Sequence, residues 1–276
     1  MTQKTAQYYF SSIQMPFLEL RATYHSTQSY KAHSHKTFSI GAITYGQTQL
    51  HQNNQTTLLN VGDLVLIPPD MIHSCNPLQN QARSYYMLYL DYDWCLTKTK
   101  HLYGQNTHAF YCPAPKISEP YLFTQYMALV SALKNHKLTL AEQKLDTFIH
   151  HIFKHHCAPF EQTTHTTHHF TQHIKNTFNH NLDSPPKLTE LAKQFNLRQE
   201  TLIRQFKKKT GISPKAYLNN LRVEQAKKLL KNGQPISDVA YQLGFCDQSH
   251  FQKIFSLYTA CTPRQYQQIR SIFDNK

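Results

Sequence analysis

Short apolar runs, separated by turn-forming residues, make up the first third of the chain. Runs rich in β-branched and aromatic residues cover positions 38–45, 56–59, 64–67 and 84–90. Turn sequences lie between them, at Gln52-Asn53-Asn54 and at Gly62-Asp63. We therefore predict a β-rich region from about residue 8 to residue 95. Short strands at this spacing are typical of a β-sandwich or a small barrel.

Beyond this region the apolar pattern becomes helical. Residues 96–118, which include Pro113 and Pro115, predict a loop, and helices are predicted at 119–135 and 139–156. The second helix carries an apolar stripe at steps of three and four residues: Leu138, Ala141, Leu145, Phe148 and Ile152. Such a stripe is most often part of a core, but here it could equally form the seam of a dimer.

A polar segment at about 159–167 predicts a linker, and the chain beyond it carries one pattern twice. Residues 188–192 (LTELA) return at 236–240 (ISDVA), and residues 206–217 return at 255–266. The separation is 48 residues for the first part and 49 for the second. This duplication predicts two helix-turn-helix units that present two reading helices to one face of DNA.

Local signals give the helix boundaries of the tail. Thr189 is expected to cap its first helix. A reading helix is predicted at 199–209, and Gly211 takes the place of a left-handed C-cap. Ser213-Pro214 then begins a long helix. The reading helix of the second unit is predicted at about 247–257.

Positive charge is concentrated in the same tail. The chain has a formal net charge of +13, and residues 165–276 hold 17 Lys and Arg against 7 Asp and Glu. This imbalance indicates a polyanionic partner, and the helix-turn-helix spacing favours double-stranded DNA over a membrane. The six cysteines form no CxxC pair. No apolar run reaches the roughly 18–20 residues that span a bilayer, and the N-terminus lacks an apolar signal stretch. We therefore expect a cytoplasmic protein with free thiols and no membrane partner.

Several motifs of the tail belong together: Leu191-Ala192, Phe206-Lys207-Lys208, Thr210-Gly211-Ile212-Ser213-Pro214, Leu221-Arg222, Leu229-Leu230 and Gly244-Phe245-Cys246-Asp247-Gln248-Ser249-His250-Phe251. Over about 165–276 they closely resemble the AraC/XylS family of bacterial transcription regulators. The resemblance implies that the long helix holds two reading helices about one DNA turn apart, so that both enter successive major grooves.

Carried over position by position, the resemblance implies base contacts from Glu200, Ile203 and Arg204 in the first unit, and from Gln248, Ser249, Gln252 and Lys253 in the second. Arg204 suits guanine, and Gln248 or Gln252 suits adenine. Lys207 and Lys208 are expected to hold phosphates. Ser256-Leu257 and Ala260 stand where the family has Lys-Lys and Gly. The second reading helix is therefore expected to end differently, and the first unit to supply most phosphate contacts.

His33-Ser34-His35 with Gly46, and the stretch from Gly62 through Pro68 to His73, resemble the two cupin motifs. Ser39 stands where a cupin has Glu, and Asp70 where it has Gly. The resemblance implies a sensing domain with an effector pocket lined by His33, His35, Tyr45 and His73. The three histidines could bind Zn²⁺ or Fe²⁺. Because the carboxylate is lost, we favour a sensor without metal and expect no cofactor.

Together these patterns predict a two-domain α+β protein. A cupin-like β-barrel that senses an effector is expected at 8–118, a helical linker and dimerisation region at 119–164, and an all-α DNA-binding domain with two helix-turn-helix units at 165–276. The predicted function is a sequence-specific AraC/XylS-type transcriptional regulator and not an enzyme. Its expected partners are double-stranded DNA, an unidentified small molecule, RNA polymerase and a second copy of the chain.

Two alternatives stay open. One is a metal-dependent cupin oxygenase or isomerase that uses His33, His35 and His73 and is fused to a DNA-binding tail. The other is a metal-responsive regulator. Its ligands would be histidines spaced four apart, as on one face of a helix: His151 and His155, and likewise His165, His169 and His173.

Overall fold

The computed structural model describes residues 6–160 and 169–271, which fall into two compact units. The first unit comprises residues 6–29 and 35–160, and the second comprises Tyr30–Ser34 and residues 169–271. Strands dominate the first unit and helices build the second, so the predicted two-domain α+β fold class is confirmed. The domain boundary predicted between residues 164 and 165 lies outside the described residues.

In the described residues, antiparallel strands, three α-helices and a short 3-10 helix at Leu78–Asn80 form the first unit. In chain order they are β1 (Ala6–Ser12), β2 (Met15–Ser26), β3 (Phe38–Tyr45), β4 (Thr48–Gln52), β5 (Gln55–Leu59), β6 (Leu64–Ile67), β7 (His73–Pro77), β8 (Arg83–Leu90), α1 (Tyr92–Tyr103), β9 (Phe110–Tyr111), β10 (Lys116–Ile117), α2 (Pro120–Lys134), α3 (Leu138–His156) and β11 (Ala158–Pro159). One sheet has the order β1-β2-β8-β3-β6-β10 and a second has the order β5-β4-β7, while β9 pairs with β11. The expected barrel thus consists of two separately hydrogen-bonded sheets in the described residues.

Both faces of β6, in the six-stranded sheet, are buried, which explains its unbroken apolar run. Leu64 and Leu66 belong to a core shared with α2 and α3. Val65 and Ile67 belong to a second core, which includes Leu50 of β4 and side chains of β5. Alternate side chains of a strand face opposite sides. The first unit therefore has three layers: helices, the large sheet and the small sheet.

The predicted hairpin between β4 and β5 is confirmed. Gln52 pairs with Gln55, so Asn53 and Asn54 form a two-residue turn. Both have positive φ, at 51° and 61°, as a type I′ turn requires. Asparagine tolerates this left-handed region better than most residues.

The predicted loop at 96–118 is wrong in its first part, because α1 extends to Tyr103. Asp91 begins the helix by accepting a hydrogen bond from the Trp94 N–H at 3.0 Å. Only Cys95 and Thr99 of α1 are buried. The helix therefore lacks the apolar stripe on which the prediction depended, and the cap at Asp91 was the available signal.

The two helices predicted before the linker are confirmed as α2 and α3, which pack against each other as a hairpin. In the apolar stripe of α3, Leu138 packs against the core and the remaining four residues are buried in it. The stripe is therefore core and is not available as a dimer seam. No helix in the described ranges is both long and apolar enough to cross a membrane.

Helices α4 to α10 form the second unit: α4 (His169–His180), α5 (Leu188–Gln194), α6 (Gln199–Thr210), α7 (Pro214–Lys231), α8 (Ile236–Gln242), α9 (Gln248–Thr259) and α10 (Pro263–Ser271). The predicted capping role of Thr189 is wrong, because α5 begins one residue before it with Lys187 as N-cap. There the Lys187 N–H donates to the Glu190 carboxylate at 3.2 Å. The cap is thus formed by Glu190 reaching back, and Thr189 lies inside the helix.

The two reading helices, α6 and α9, end in the same way, contrary to expectation. Gly211 and Ala260 are both left-handed, with φ of 83° and 57°. In each case the preceding threonine donates from its hydroxyl to the carbonyl four residues earlier, Thr210 at 2.9 Å and Thr259 at 2.8 Å. The duplicated threonine holds the turn, so the turn forms even where Ala replaces Gly.

One glycine of the second unit allows a close approach between two chain segments. Gly244 has φ +68°, and a Cβ there would collide with the carbonyl oxygen of Asp183. The Arg222 guanidinium lies at the same place and donates to Leu182 O at 2.8 Å and to Asp183 O at 3.3 Å. Gly244 thus holds the turn before α9 against the segment between α4 and α5.

We predict that Gly244→Ala lowers the free energy of unfolding by about 2–4 kcal/mol, because left-handed strain adds to overpacking. Gly233→Ala is the matched control, since Gly233 has φ +79° and open space around its Cβ position. It should cost only about 1 kcal/mol. Denaturant unfolding followed by circular dichroism measures both. Equal costs would show that the approach to Asp183 does not constrain the fold.

Candidate nucleic-acid interface and ligand site

Helix α6 has one buried side and one polar side. Leu202 and Phe206 are fully buried. Of the residues predicted to contact DNA, Glu200, Arg204, Lys207 and Lys208 are exposed, whereas Ile203 is half-buried and packs against the core. Side chains three or four positions apart share one face of a helix. The buried side therefore packs the unit, while the other presents a carboxylate and three cations to solvent.

Helix α9 repeats this arrangement. Phe251 and Phe255 are fully buried. Of the predicted residues, Gln248, Ser249 and Lys253 are exposed and Gln252 is half-buried. Asp247 caps the helix by accepting from the His250 N–H at 2.7 Å. The exposed first turn of α9 therefore carries amide and hydroxyl groups suited to base edges.

Helix α7 supports both reading helices. It contacts α6 on one hand and α8 and α9 on the other. The Tyr217 ring lies 5.7 Å from the Phe206 ring of α6. The Tyr258 hydroxyl of α9 donates to Ala216 O at 3.0 Å. Both reading helices are thus fastened to the same part of α7.

Arg222 has a structural role that its charge alone did not reveal. Its guanidinium is bound to backbone carbonyls and lies 5.3 Å from the centre of the Phe245 ring. Burial lowers the pKa of this guanidinium from its usual value. Arg222 therefore joins α7 to the turn before α9 and is unsuited to hold a phosphate. Its place two turns into the long helix was the available signal.

The two reading helices differ in charge. The last turn of α6 contains Lys207, Lys208 and Lys209, whereas the last turn of α9 contains no basic residue. Lysine and arginine side chains are common partners of DNA phosphates. That the first unit supplies most phosphate contacts stays a prediction, and this difference in charge between the two helices supports it.

In the first unit, the structure brings two of the four predicted pocket residues together. The rings of His35 and His73 lie 5.0 Å apart, and the Tyr89 ring lies 5.7 Å from His35. His35 Nε2 is 3.4 Å from the hydroxyl of Ser39. Tyr89 also packs against the apolar core between the two sheets, as does Met71. Sequence reasoning missed Tyr89 because only strand pairing places it there.

The other two predicted pocket residues lie elsewhere. Tyr45 is 53% exposed and packs against His25 at 5.3 Å between ring centres. His33 is half-exposed, belongs to the second unit, and its Nδ1 lies 2.7 Å from Lys31 O. Arg83 is a buried polar group that sequence reasoning missed, and it donates to Cys75 O at 2.8 Å.

In the part of the chain that the structure describes, His151 is the one proposed metal-binding histidine that belongs to a group of three ligand atoms, and its neighbour in the series, His155, does not. His33, His35 and His73 are absent from any set of three ligand atoms within 4.8 Å of one another. Of the helical series, His165 lies outside the described residues, as does the side chain of His169. His173 contacts Gln194 Oε1 at 3.1 Å.

A strand-rich unit with convergent polar groups, followed by a helical unit with two exposed reading helices, defines a ligand-responsive DNA-binding regulator. Comparison with known proteins agrees. The AraC-like ligand binding domain model matches residues 16–145, and a helix-turn-helix domain model matches residues 191–269. The chain belongs to the AraC/XylS family of transcriptional regulators.

Relatives of the chain are regulators. It is 28% identical over 240 residues to an uncharacterized HTH-type transcriptional regulator, YbfI of Bacillus subtilis, covering 81% of this chain and 82% of YbfI. It is 42% identical over 84 residues to the transcriptional activator RhaS of Escherichia coli, covering 30% of each chain. Such regulators are not enzymes, so the predicted function is confirmed over the enzyme alternative.

A solved structure shares the fold. ToxT from Vibrio cholerae O395 superposes with a TM-score of 0.56 at 13% identity, covering 96% of this chain and 97% of ToxT. The similarity extends over both the strand-rich and the helical parts of the chain.

We predict that Lys207→Ala reduces the slope of log K against log salt by about 1, because one phosphate contact is lost. The slope comes from a salt titration of DNA binding. Lys228→Ala is the matched control, since Lys228 is exposed on α7 and not on a reading helix. Equal slopes for Lys207→Ala and the unchanged protein would contradict the assignment of Lys207 to phosphate.

We predict that Arg204→Ala weakens binding to the preferred DNA site by about 1–3 kcal/mol and relaxes selectivity at one base pair. The reason is that a guanidinium can donate two hydrogen bonds to one guanine. Binding to single-base variants of the site measures the effect. A uniform loss across all variants would place Arg204 on the phosphate backbone instead.

Proposed function

We propose that this regulator reads paired half-sites in double-stranded DNA, one with α6 and the other with α9, in response to a small molecule held in the first unit. The observation that carries the proposal is the matched pair of exposed polar faces on α6 and α9, both fastened to α7. A rigid helix between two reading helices supports half-sites at a fixed spacing.

Genomic DNA selection with the full-length protein tests this reading. The selection is made at about 150 mM salt, where non-specific binding is weak. We expect sharp sites made of two half-motifs about one helical turn apart. Gln248→Ala should weaken the base preference in one half-motif and leave the preference in the other half-motif unchanged. Sites with a single motif would contradict the assignment of α9 as a second reader.

We further propose that the effector binds beside His35, His73 and Tyr89. Polar groups converge there at the edge of the apolar core between the sheets, a combination typical of small-molecule sites. Such a site suits a compound with an apolar body and one polar group. ToxT from Vibrio cholerae, which shares the fold, has been solved with an unsaturated fatty acid bound.

A thermal-shift screen tests the location of the effector site. Compounds that raise the melting temperature of the unchanged protein should fail to do so with His73→Gln. Tyr45→Ala is the control, since Tyr45 is exposed away from this group. A compound that stabilises His73→Gln as strongly as the unchanged protein binds elsewhere.

The cupin-type site is proposed to work without a metal or other cofactor. Ser39, which replaces the expected carboxylate, lies within 3.4 Å of His35 Nε2. A hydroxyl is a poorer ligand than a carboxylate for Zn²⁺ or Fe²⁺. The ring nitrogen is instead within hydrogen-bonding range of a neutral group.

The remaining proposed partners are RNA polymerase and a second copy of the chain, and the proposed site of action is the cytoplasm. Resemblance to activators such as RhaS supports contact with polymerase.

A dimer would not use the apolar stripe of α3, because that stripe is buried. It would use other side chains of α2 and α3, such as Tyr121 (65% exposed) and Leu140 (41% exposed). Light scattering gives the mass of the unchanged protein and of Tyr121→Ser in solution. The unchanged protein should have the mass of a dimer, and Tyr121→Ser should shift it toward that of a monomer.

A further inference from the structure

Three metal-binding side chains meet at the open end of the α2–α3 hairpin. They are Glu119, the residue before α2, and His151 and His156 in the last turns of α3. One ligand atom of each lies within 4.8 Å of the other two. The antiparallel packing of the helices explains the meeting, because it places the start of α2 beside the end of α3.

The contact between Glu119 and His156 is not a satisfied pair. A carboxylate oxygen of Glu119 lies 3.4 Å from His156 Nε2. That nitrogen is buried and makes no hydrogen bond within the described residues. Glu119 caps nothing with its side chain either, although it is the N-cap residue of α2. The carboxylate and the imidazole nitrogen are thus in contact but are not joined by a hydrogen bond.

We propose that Glu119, His151 and His156 bind Zn²⁺. Two imidazole nitrogens and one carboxylate oxygen are a recognised ligand set for zinc, with metal–ligand distances of about 2.0–2.2 Å. The three ligand atoms now lie within 4.8 Å of one another. Small side-chain rotations would bring them to coordination distance from one ion. Three protein ligands leave a fourth tetrahedral position for water. The ion would fasten the beginning of α2 to the end of α3.

This site differs from both metal sites considered from the sequence. It shares no residue with the cupin histidines. It uses one member of the helical series, His151, but combines it with His156 five positions later and with the carboxylate of Glu119, which directly precedes α2. Zinc binding here does not depend on the proposed DNA-reading function, so either can fail without the other.

A zinc titration of the untagged full-length protein tests the proposal, with a coloured chelator as competitor. We expect one equivalent of Zn²⁺ to bind, and His156→Gln and Glu119→Gln each to weaken binding by more than about tenfold. His150→Gln is the matched control, because His150 is exposed on the same helix and outside the group. It should bind zinc like the unchanged protein.

Two further measurements distinguish zinc binding at this site from adventitious binding. Zn²⁺ should raise the melting temperature of the unchanged protein and of His150→Gln, but not of the two ligand variants. Co²⁺ in its place should show the strong visible bands of tetrahedral coordination. The proposal is overturned if the unchanged protein binds no zinc, or if correctly folded ligand variants, checked by circular dichroism, keep full affinity.

Discussion

The burial of α7 between the two helix-turn-helix units is the interaction on which the DNA-reading half depends. Val223, Ala226 and Leu230 are buried along its length, and Tyr217 and Ala216 meet the two reading helices near its beginning. An 18-residue helix spans about 27 Å and does not bend easily. Because both readers pack on this one element, their separation follows from its packing. The proposed recognition of two half-sites therefore depends first on this apolar packing and only then on the polar side chains of the reading helices.

The first unit obeys a related constraint, since its large sheet must bury both faces. One face packs on α2 and α3 and the other on the small sheet. The candidate ligand site lies at the edge of the second core, where Tyr89 serves both the apolar cluster and the polar group around His35. The candidate zinc site lies beyond the first core, at the end of the helical hairpin. Each site thus sits at the margin of a packed layer, where polar groups approach apolar ones.

Local patterns predicted most of the fold. The hairpin at Asn53-Asn54, the strands β3, β5, β6 and β8 and the duplicated units follow from turn chemistry, periodicity and caps, whereas β1, β2 and β7 were predicted only as part of a β-rich region. Helix α1 was missed because its buried residues, Cys95 and Thr99, form no apolar stripe. The sites were harder, since Tyr89 and Glu119 reach them through strand pairing and helix packing that no spacing along the chain encodes. The histidines spaced four apart indicated a metal site on α3 alone, whereas in the structure the candidate ligand group also includes Glu119, which precedes α2.

The sharing of α7 also bears on how such a regulator can change its targets. In the proposed mode of reading, a substitution on the polar side of α6 or of α9 would alter one half of the recognised sequence and leave the packing that positions the other half undisturbed. A substitution in α7, or at the Arg222–Gly244 junction, disturbs both at once. The preferred operator sequence can therefore change at one half-site at a time, through substitutions on α6 or on α9. Substitutions in α7 affect both half-sites, so selection on both half-sites acts on this helix together.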